Sequence, residues 1–346
     1  MITAGQAAEL TGAVITGSAE TVIHRLAKIE DAGSGDLSFL ERDIYAKYHE
    51  TTGASVLFVK PGFTKSRPEI TYLEVKNPYL SFVAVLNRFF APEFKLTGIS
   101  PSAYIDPTAK IGANCAIGQN VVIEANCVIG DNTKIFHNTV ISRDTKIGNN
   151  ALIFQNVSIR EECIIGNNVI LQPGVVIGGD GFGFVPDSKG VYNKVWQKGN
   201  VIIEDDVEIG ANTCIDRAAM GSTIVRKGVK MDNMVQIAHG AEIGENSVLS
   251  ALSGVAGSSI LGKNCIVAAQ VGIADHLRVT DGAIILAQSG VSRSIDKPGM
   301  YFGYPAKEHR LAQRLEVHTR NLPEYADRIK ALEKKIAELE EKLGSK

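Results

Sequence analysis

The sequence predicts a mainly β protein: a parallel β-solenoid with an α/β unit before it and a helical tail after it. Three observations carry that prediction. Aliphatic residues recur every sixth position over two long stretches. Aromatics are scarce, at 6% with a single Trp, against 34 Gly, so the apolar weight sits in Ile, Val, Leu and Ala and points to a narrow, repetitive interior. The repeat is confined to about residues 99–300, and the flanks are patterned differently.

Residues 1–98 read as a separate α/β unit. Glu20–Ala27 and Arg42–Thr51 are expected to be helical, Ser55–Val59 and Thr71–Val75 to be strands, and Tyr79–Phe90 to be an amphipathic helix. Pro92 and Pro101 bracket a linker.

The repeat begins at Ile105, and stepping by six reaches Ile177 through thirteen positions that are all Ile or Leu. It resumes at Ile203, Ile209 and Ile215, slips by four residues, and runs from Val225 to Val291. Four residues after each aliphatic comes a small residue, such as Cys115, Cys127, Thr133 or Cys163. A period of six fits neither a helix nor a long strand, but it fits short strands joined by tight corners. Asn and Gly at those corners tolerate left-handed backbone angles. Three sides close a coil of 18 residues, so the 28 aliphatic positions make about nine coils. Four of the five Cys fall in the small inward slot and read as packing thiols. The register is broken over 178–200, which holds Gly-Gly-Asp-Gly-Phe-Gly-Phe and Trp196, and again at 218–223. The first break is expected to be a loop packing its aromatics over a neighbouring subunit, the second a small bulge.

After Pro298 the pattern turns helical, over Ala306–Arg320 and Pro323–Leu343. Ile329, Leu332, Ile336, Leu339 and Leu343 are spaced 3-4-3-4, a seam able to close an oligomer already held by the solenoid. Between Arg293 and Arg320 six Lys or Arg face three acids. That stretch, with Arg293, Lys307, Arg310 and Arg314, is either a solvated face or a dock for an acidic partner.

Composition excludes several classes. The chain has 36 basic and 38 acidic residues and so lacks the overall charge of a nucleic-acid binder. No 18-residue apolar run and no signal-peptide pattern occur, and five Cys without CxxC spacing fit a reducing, cytoplasmic setting. No His/Cys cluster has metal-ligand spacing, and no strand–helix unit frames the glycines as a dinucleotide fingerprint, so neither metal nor cofactor is expected.

An outward His on a solenoid is ordinarily a solvated surface residue. His239, in Gln236-Ile237-Ala238-His239-Gly240, stands apart because eighteen residues on lies Gly257, one layer above on the same face. A general base beside an unobstructed backbone N–H is what acyl transfer needs: one takes a proton, the other holds the oxyanion. His276 lies two layers up and one step aside, in reach of the same groove. Gly254, Gly272 and Gly290, each 18 apart, are either corner glycines or a smooth groove for an extended acyl chain. On the second reading Gly290→Met shortens the preferred chain.

The pattern resembles the hexapeptide-repeat acyltransferases, whose fold is a left-handed parallel β-helix. The α/β unit, the long solenoid with Gln236-Ile237-Ala238-His239, and the helical tail together are similar to the UDP-3-O-acylglucosamine N-acyltransferase family of lipid A synthesis. Gly35-Asp36-Leu37-Ser38-Phe39-Leu40, Val75-Lys76-Asn77-Pro78-Tyr79, Asp180-Gly181-Phe182-Gly183-Phe184 and Cys214-Ile215-Asp216-Arg217 belong to the same likeness. The related O-acyltransferases lack the N-terminal domain. The resemblance implies a homotrimer with sites in clefts between solenoids, a UDP-sugar substrate and an acyl carrier protein as donor. It implies His239 as general base, Gly257 N–H as oxyanion donor, His276 and Asp232 in support, and Gln236 beside the substrate. Phe39 and Tyr45 match an aromatic pair around uracil, with Asn77 beside them. One position departs: Arg42 stands where members place Asn three residues after the Phe. Two rivals remain at this point, an acetyl-CoA-dependent sugar N-acetyltransferase and a non-catalytic scaffold.

Overall fold

The computed structural model describes residues 1–344, and the chain divides into two compact units, Met1–Lys95 and Leu96–Lys346. The first is a five-stranded mixed sheet in the order Val14–Thr16, Thr71–Glu74, Val56–Val59, Asp36–Phe39, Arg25–Leu26. One face buries Ile23, Leu37, Val56, Phe58 and Leu73 with helices α1, Ala4–Thr11, and α2, Pro78–Phe89. The other buries Leu57, Val59 and Tyr72.

The expected helix over Glu20–Ala27 is not formed. Val22–Ile23 pairs antiparallel with Ile2–Thr3, and Arg25–Leu26 pairs parallel with Asp36–Leu37. Thr21-Val22-Ile23 is β-branched throughout, and the Arg25 guanidinium grips Asp36 at 2.7 and 2.8 Å, fixing the edge strand. The helix that does form nearby, α1, has a reciprocal cap: Gln6 N–H donates to Thr3 Oγ1, and Thr3 N–H to Gln6 Oε1. Arg42–Thr51 holds a 3₁₀ helix, Asp43–Glu50.

In the second unit, short strands from Tyr104–Ile105 to Lys307–Glu308 form three sheets of 11, 10 and 9 strands, parallel throughout except between the last two strands of the eleven. Two of the eleven, Met300–Phe302 and Lys307–Glu308, belong to the tail, so nine coils stack with one strand over. Each strand pairs with the one a coil away, as Ile123 with Ile141 and Ile141 with Ile159. The second residue of each strand points inward, making one continuous core of Ile, Val and Leu.

The small inward slot is more than a size constraint. Thr133, Thr139 and Thr145 donate from Oγ1 to the carbonyls of Gly148, Phe154 and Arg160 at 3.0–3.1 Å. The thiols of Cys115, Cys127 and Cys265 make the same bond fifteen residues on, at 3.2 Å. A buried corner carbonyl thereby gains a donor it would otherwise lack. Burial pushes the Cys163 thiol up to about 11, as befits a packing residue. At the corners twenty non-glycine residues take positive φ, eleven of them Asn, whose amides stack as in Asn150 Nδ2 to Asn168 Oδ1 at 3.1 Å.

The 178–200 excursion is a β-hairpin: Phe184–Pro186 pairs antiparallel with Tyr192–Lys194 around a turn held by Asp187. Phe182, Tyr192 and Trp196 are more than two-thirds exposed. At the other end, α3 starts at His309 rather than Ala306, because 307–308 pairs with Tyr301–Phe302 and Glu308 caps Leu311 N–H at 2.9 Å. It runs to Arg320, and α4 follows as Leu322–Gly344 with Ile329, Leu332, Ile336 and Leu339 all exposed. Among the described residues no helix is long and apolar enough to cross a membrane.

Candidate active site

His239 sits at the corner after the strand Gln236–Ile237, half-buried on the outer surface of the coil. Its ring lies between two glycines. A Cβ at Gly257 would be 2.6 Å from His239 Cε1 and 2.7 Å from Nε2. A Cβ at Gly181 would be 2.7 Å from His239 Cβ and 2.9 Å from Cδ2. Real Cβ atoms do not approach so closely, so both positions must be Gly for the imidazole to lie where it does.

Many corner N–H groups are taken by a side chain, as Asp131 N–H by Asn149 Oδ1 at 2.7 Å and Lys263 N–H by Asp281 Oδ1 at 2.8 Å, while others have no side-chain acceptor among the described residues. Among the described residues Gly257 N–H has no such acceptor. Its carbonyl accepts from His276 N–H at 3.0 Å, which ties His276 to this corner in a left-handed conformation, φ 56.

Below the ring is a carboxylate that spacing alone did not single out. Asp216 feels the charge of His239 and accepts from Gln236 Nε2 at 3.0 Å. Burial raises its pKa above the ordinary carboxylate value, Gln236 and His239 oppose that, and Asp180 adds to it. Asp180 in turn is held by Lys194 of the hairpin at 2.6 Å. Asp232 is placed differently: its carboxylate accepts from Asn233 N–H at 2.7 Å and Ala251 N–H at 3.1 Å, at the preceding corner of the coil. Arg217, buried beside this region, donates to Gly178 O, Glu161 O and Glu161 Oε1 and anchors the base of the hairpin.

The glycine column is real in register, Gly254 pairing with Gly272 and Gly272 with Gly290. Gly254 and Gly272 are open, whereas the ring of Tyr304 covers Gly290. A Met at 290 therefore meets Tyr304 before it meets anything in the groove, and the substitution does not report on the groove alone. Arg293 falls in the same corner column as His239 and Gly257, and is exposed, as are Arg310 and Arg314 on one face of α3. Lys307 is half-buried, its Nζ on Pro305 O at 3.2 Å.

In the first unit Phe39 and Tyr45 line one cavity of about 230 Å³ with Lys28, Ile29, Glu30 and Glu41. They also line the adjoining one with Glu41, Arg42 and Tyr79. Phe39 is steadied by Tyr79 and Phe82 at ring centroid distances of 5.3 and 4.8 Å. Asn77 caps α2, its Oδ1 accepting from Leu80 N–H at 3.0 Å.

Residues 20–88 match the family model described as UDP-3-O-(3-hydroxymyristoyl) glucosamine N-acyltransferase, LpxD. Residues 99–178 match a GMPPB C-terminal domain, and 200–233 a hexapeptide repeat of succinyl-transferase. A UDP-3-O-acylglucosamine N-acyltransferase of Syntrophotalea carbinolica is 54% identical over 340 residues, covering 98% of both chains. One of Bacteroides thetaiotaomicron is 55% identical over 339 residues, covering 98% of this chain and 97% of its own. Among solved structures, an Arabidopsis UDP-N-acetylglucosamine acyltransferase has a TM-score of 0.55 at 21% identity, over 61% of this chain and 73% of its own. That last likeness is one of fold.

Proposed function

The chain belongs to the UDP-3-O-acylglucosamine N-acyltransferase family, and from that premise we propose how it works. It transfers a 3-hydroxyacyl chain from acyl carrier protein to the 2-amino group of UDP-3-O-acylglucosamine, in the cytoplasmic assembly of lipid A. The single observation that carries the mechanism is the His239 imidazole lying against Gly257, whose N–H donates to no corner side chain.

In the proposed step the amine nitrogen attacks the thioester carbonyl while His239 takes the amine proton. Gly257 N–H stabilises the oxyanion of the tetrahedral intermediate. The C–S bond then breaks, the thiolate leaves with the proton from His239, and an amide and free carrier thiol result. The raised pKa of Asp216 and its bond to Gln236 support a role for Asp216 beneath the base. His276 and Asp232 assist from the neighbouring corners. The uracil ring stacks between Phe39 and Tyr45 at the rim of their shared cavity, with Asn77 nearby. The acyl chain runs over Gly254 and Gly272 toward Gly290. The acidic carrier docks on Arg293, Lys307, Arg310 and Arg314, and three copies assemble so that each cleft is walled by a neighbour.

The test is an assay with acyl carrier thioester and UDP-3-O-acylglucosamine, read by mass spectrometry. The expected product is the 2,3-diacyl sugar nucleotide. Turnover with acetyl-CoA but not with the carrier thioester would establish the acetyltransferase reading instead.

A further inference from the structure

His239, Gly257, Asp275 and Arg293 are spaced by eighteen residues and follow one another up one corner of the solenoid. Backbone bonds hold the stack, Ser258 N–H donating to His239 O at 2.9 Å and His276 N–H to Gly257 O at 3.0 Å. Asp275 therefore stands one coil above Gly257, and it is exposed.

The second residue after an inward aliphatic has a recurring task. Asp131, Asn149, Asn167, Asp205, Asn233 and Asp281 hold that place, and each accepts the N–H of the same position one coil below, at 2.6–2.8 Å. Asp275 holds it too, after Ile273, but does not make the bond. Among the described residues neither its carboxylate nor the Gly257 N–H beneath it has a hydrogen-bond partner. Capping would satisfy the corner and would close that N–H to an oxyanion. An unpaired acid here also repels an acidic carrier docking around Arg293, one coil further up. Both facts call for a group in the donor that the carboxylate binds.

We propose that Asp275 is a specificity residue for the donor: its carboxylate accepts the amide N–H nearest the sulfur in the pantetheine arm of acyl carrier protein. This rests on the proposed reaction, in which the thioester carbonyl oxygen meets Gly257 N–H. The arm then leaves the sulfur up the corner toward the carrier, and its first amide nitrogen follows after two carbons. That reach matches one coil, about 4.8 Å. A hydrogen bond to a charged acceptor discriminates roughly ten- to hundredfold against an arm with an ester there, whose oxygen offers the carboxylate only lone pairs. A carboxylate engaged by the arm is also kept from capping Gly257 N–H while the oxyanion forms.

The test uses intact carrier protein loaded with the natural arm, or with an arm whose sulfur-proximal amide is replaced by an ester. Both carry the same 3-hydroxyacyl thioester, and the diacyl product is read by mass spectrometry. Wild type is expected to favour the amide arm roughly ten- to hundredfold in kcat/KM. Asp275→Ala is expected to accept both arms equally, with KM for the UDP-sugar and the melting midpoint unchanged. Asp275→Asn, which keeps a neutral acceptor in the same place, is expected to retain a weaker preference for the amide. A wild type indifferent to the arm, or an Asp275→Ala enzyme that still discriminates, would overturn the assignment. Wild type inactive on the natural carrier thioester would overturn the donor reading on which it stands, so the two failures are distinguishable.

Discussion

At the scale of single residues, the site is shaped by side chains that are missing as much as by those present. Gly181 and Gly257 bracket the His239 ring, and a Cβ on either would collide with it. Gly181→Ala should therefore displace the imidazole and lower kcat at least tenfold while the thermal midpoint changes little; steady-state rates and a melting curve read both. Asp216 makes a second prediction. Burial raises its folded-state pKa, so the unfolded chain holds the proton less tightly. The group's contribution to stability is therefore largest in acid and fades as pH rises through the raised value. Asp216→Asn removes the cost of burying the charge, and its melting temperature at pH 7 is expected to match or exceed the wild type's, with the gap closing near pH 4. Gly257 could be read from the sequence because one coil is eighteen residues. Asp216 could not, because the coil from Cys214 to Gln236 is twenty-two residues long and eighteen-residue counting misses it. Nor could Gly181, which reaches His239 from the hairpin excursion outside the register.

At the scale of elements, a six-residue period made the strands of the solenoid legible. Each inward Ile, Val or Leu faces the same narrow core, and each inward Thr or Cys also answers a corner carbonyl. The flanks were less legible because no repeat enforced them. Glu20–Ala27 looked helical but became two edge strands through pairing with Ile2–Thr3 and Asp36–Leu37, partners distant in sequence. The 178–200 hairpin lacked a signal because its strands are three residues long and set among Gly. Its base depends on Arg217, which is 4% exposed and bonded to two carbonyls and Glu161. Arg217→Met is expected to cost about 1–3 kcal/mol in denaturant unfolding, since it leaves the Gly178 and Glu161 carbonyls without their donor while Glu161 keeps its bonds to Arg160. Glu161 itself is lowered to about 2, first by its bond to Arg160 and also by Arg217. That contribution is present above the ordinary carboxylate range and is lost as pH falls toward about 2, so Glu161→Gln should flatten the acid limb of the stability profile.

At the scale of the whole molecule, the scarcity of aromatics follows from a core that admits one aliphatic side chain per six residues. The exceptions gather where something else is needed: Phe39 and Tyr45 around a cavity, Phe182 and Trp196 exposed on the hairpin, and Tyr304 over the glycine column. The near-balanced charge likewise covers a local basic stretch at the tail. The α4 seam is exposed in a single chain, and sedimentation is expected to give three times the 37.1 kDa chain mass. An Ile336→Asp variant that stays trimeric would show that the solenoids alone hold the assembly. Everything in the proposed chemistry converges on one corner of one coil. The most direct measurement is kcat for His239→Ala with acyl carrier thioester and UDP-3-O-acylglucosamine. The account predicts a fall of roughly 10²–10⁴ with an unchanged circular dichroism spectrum; turnover within a few fold of wild type would contradict it.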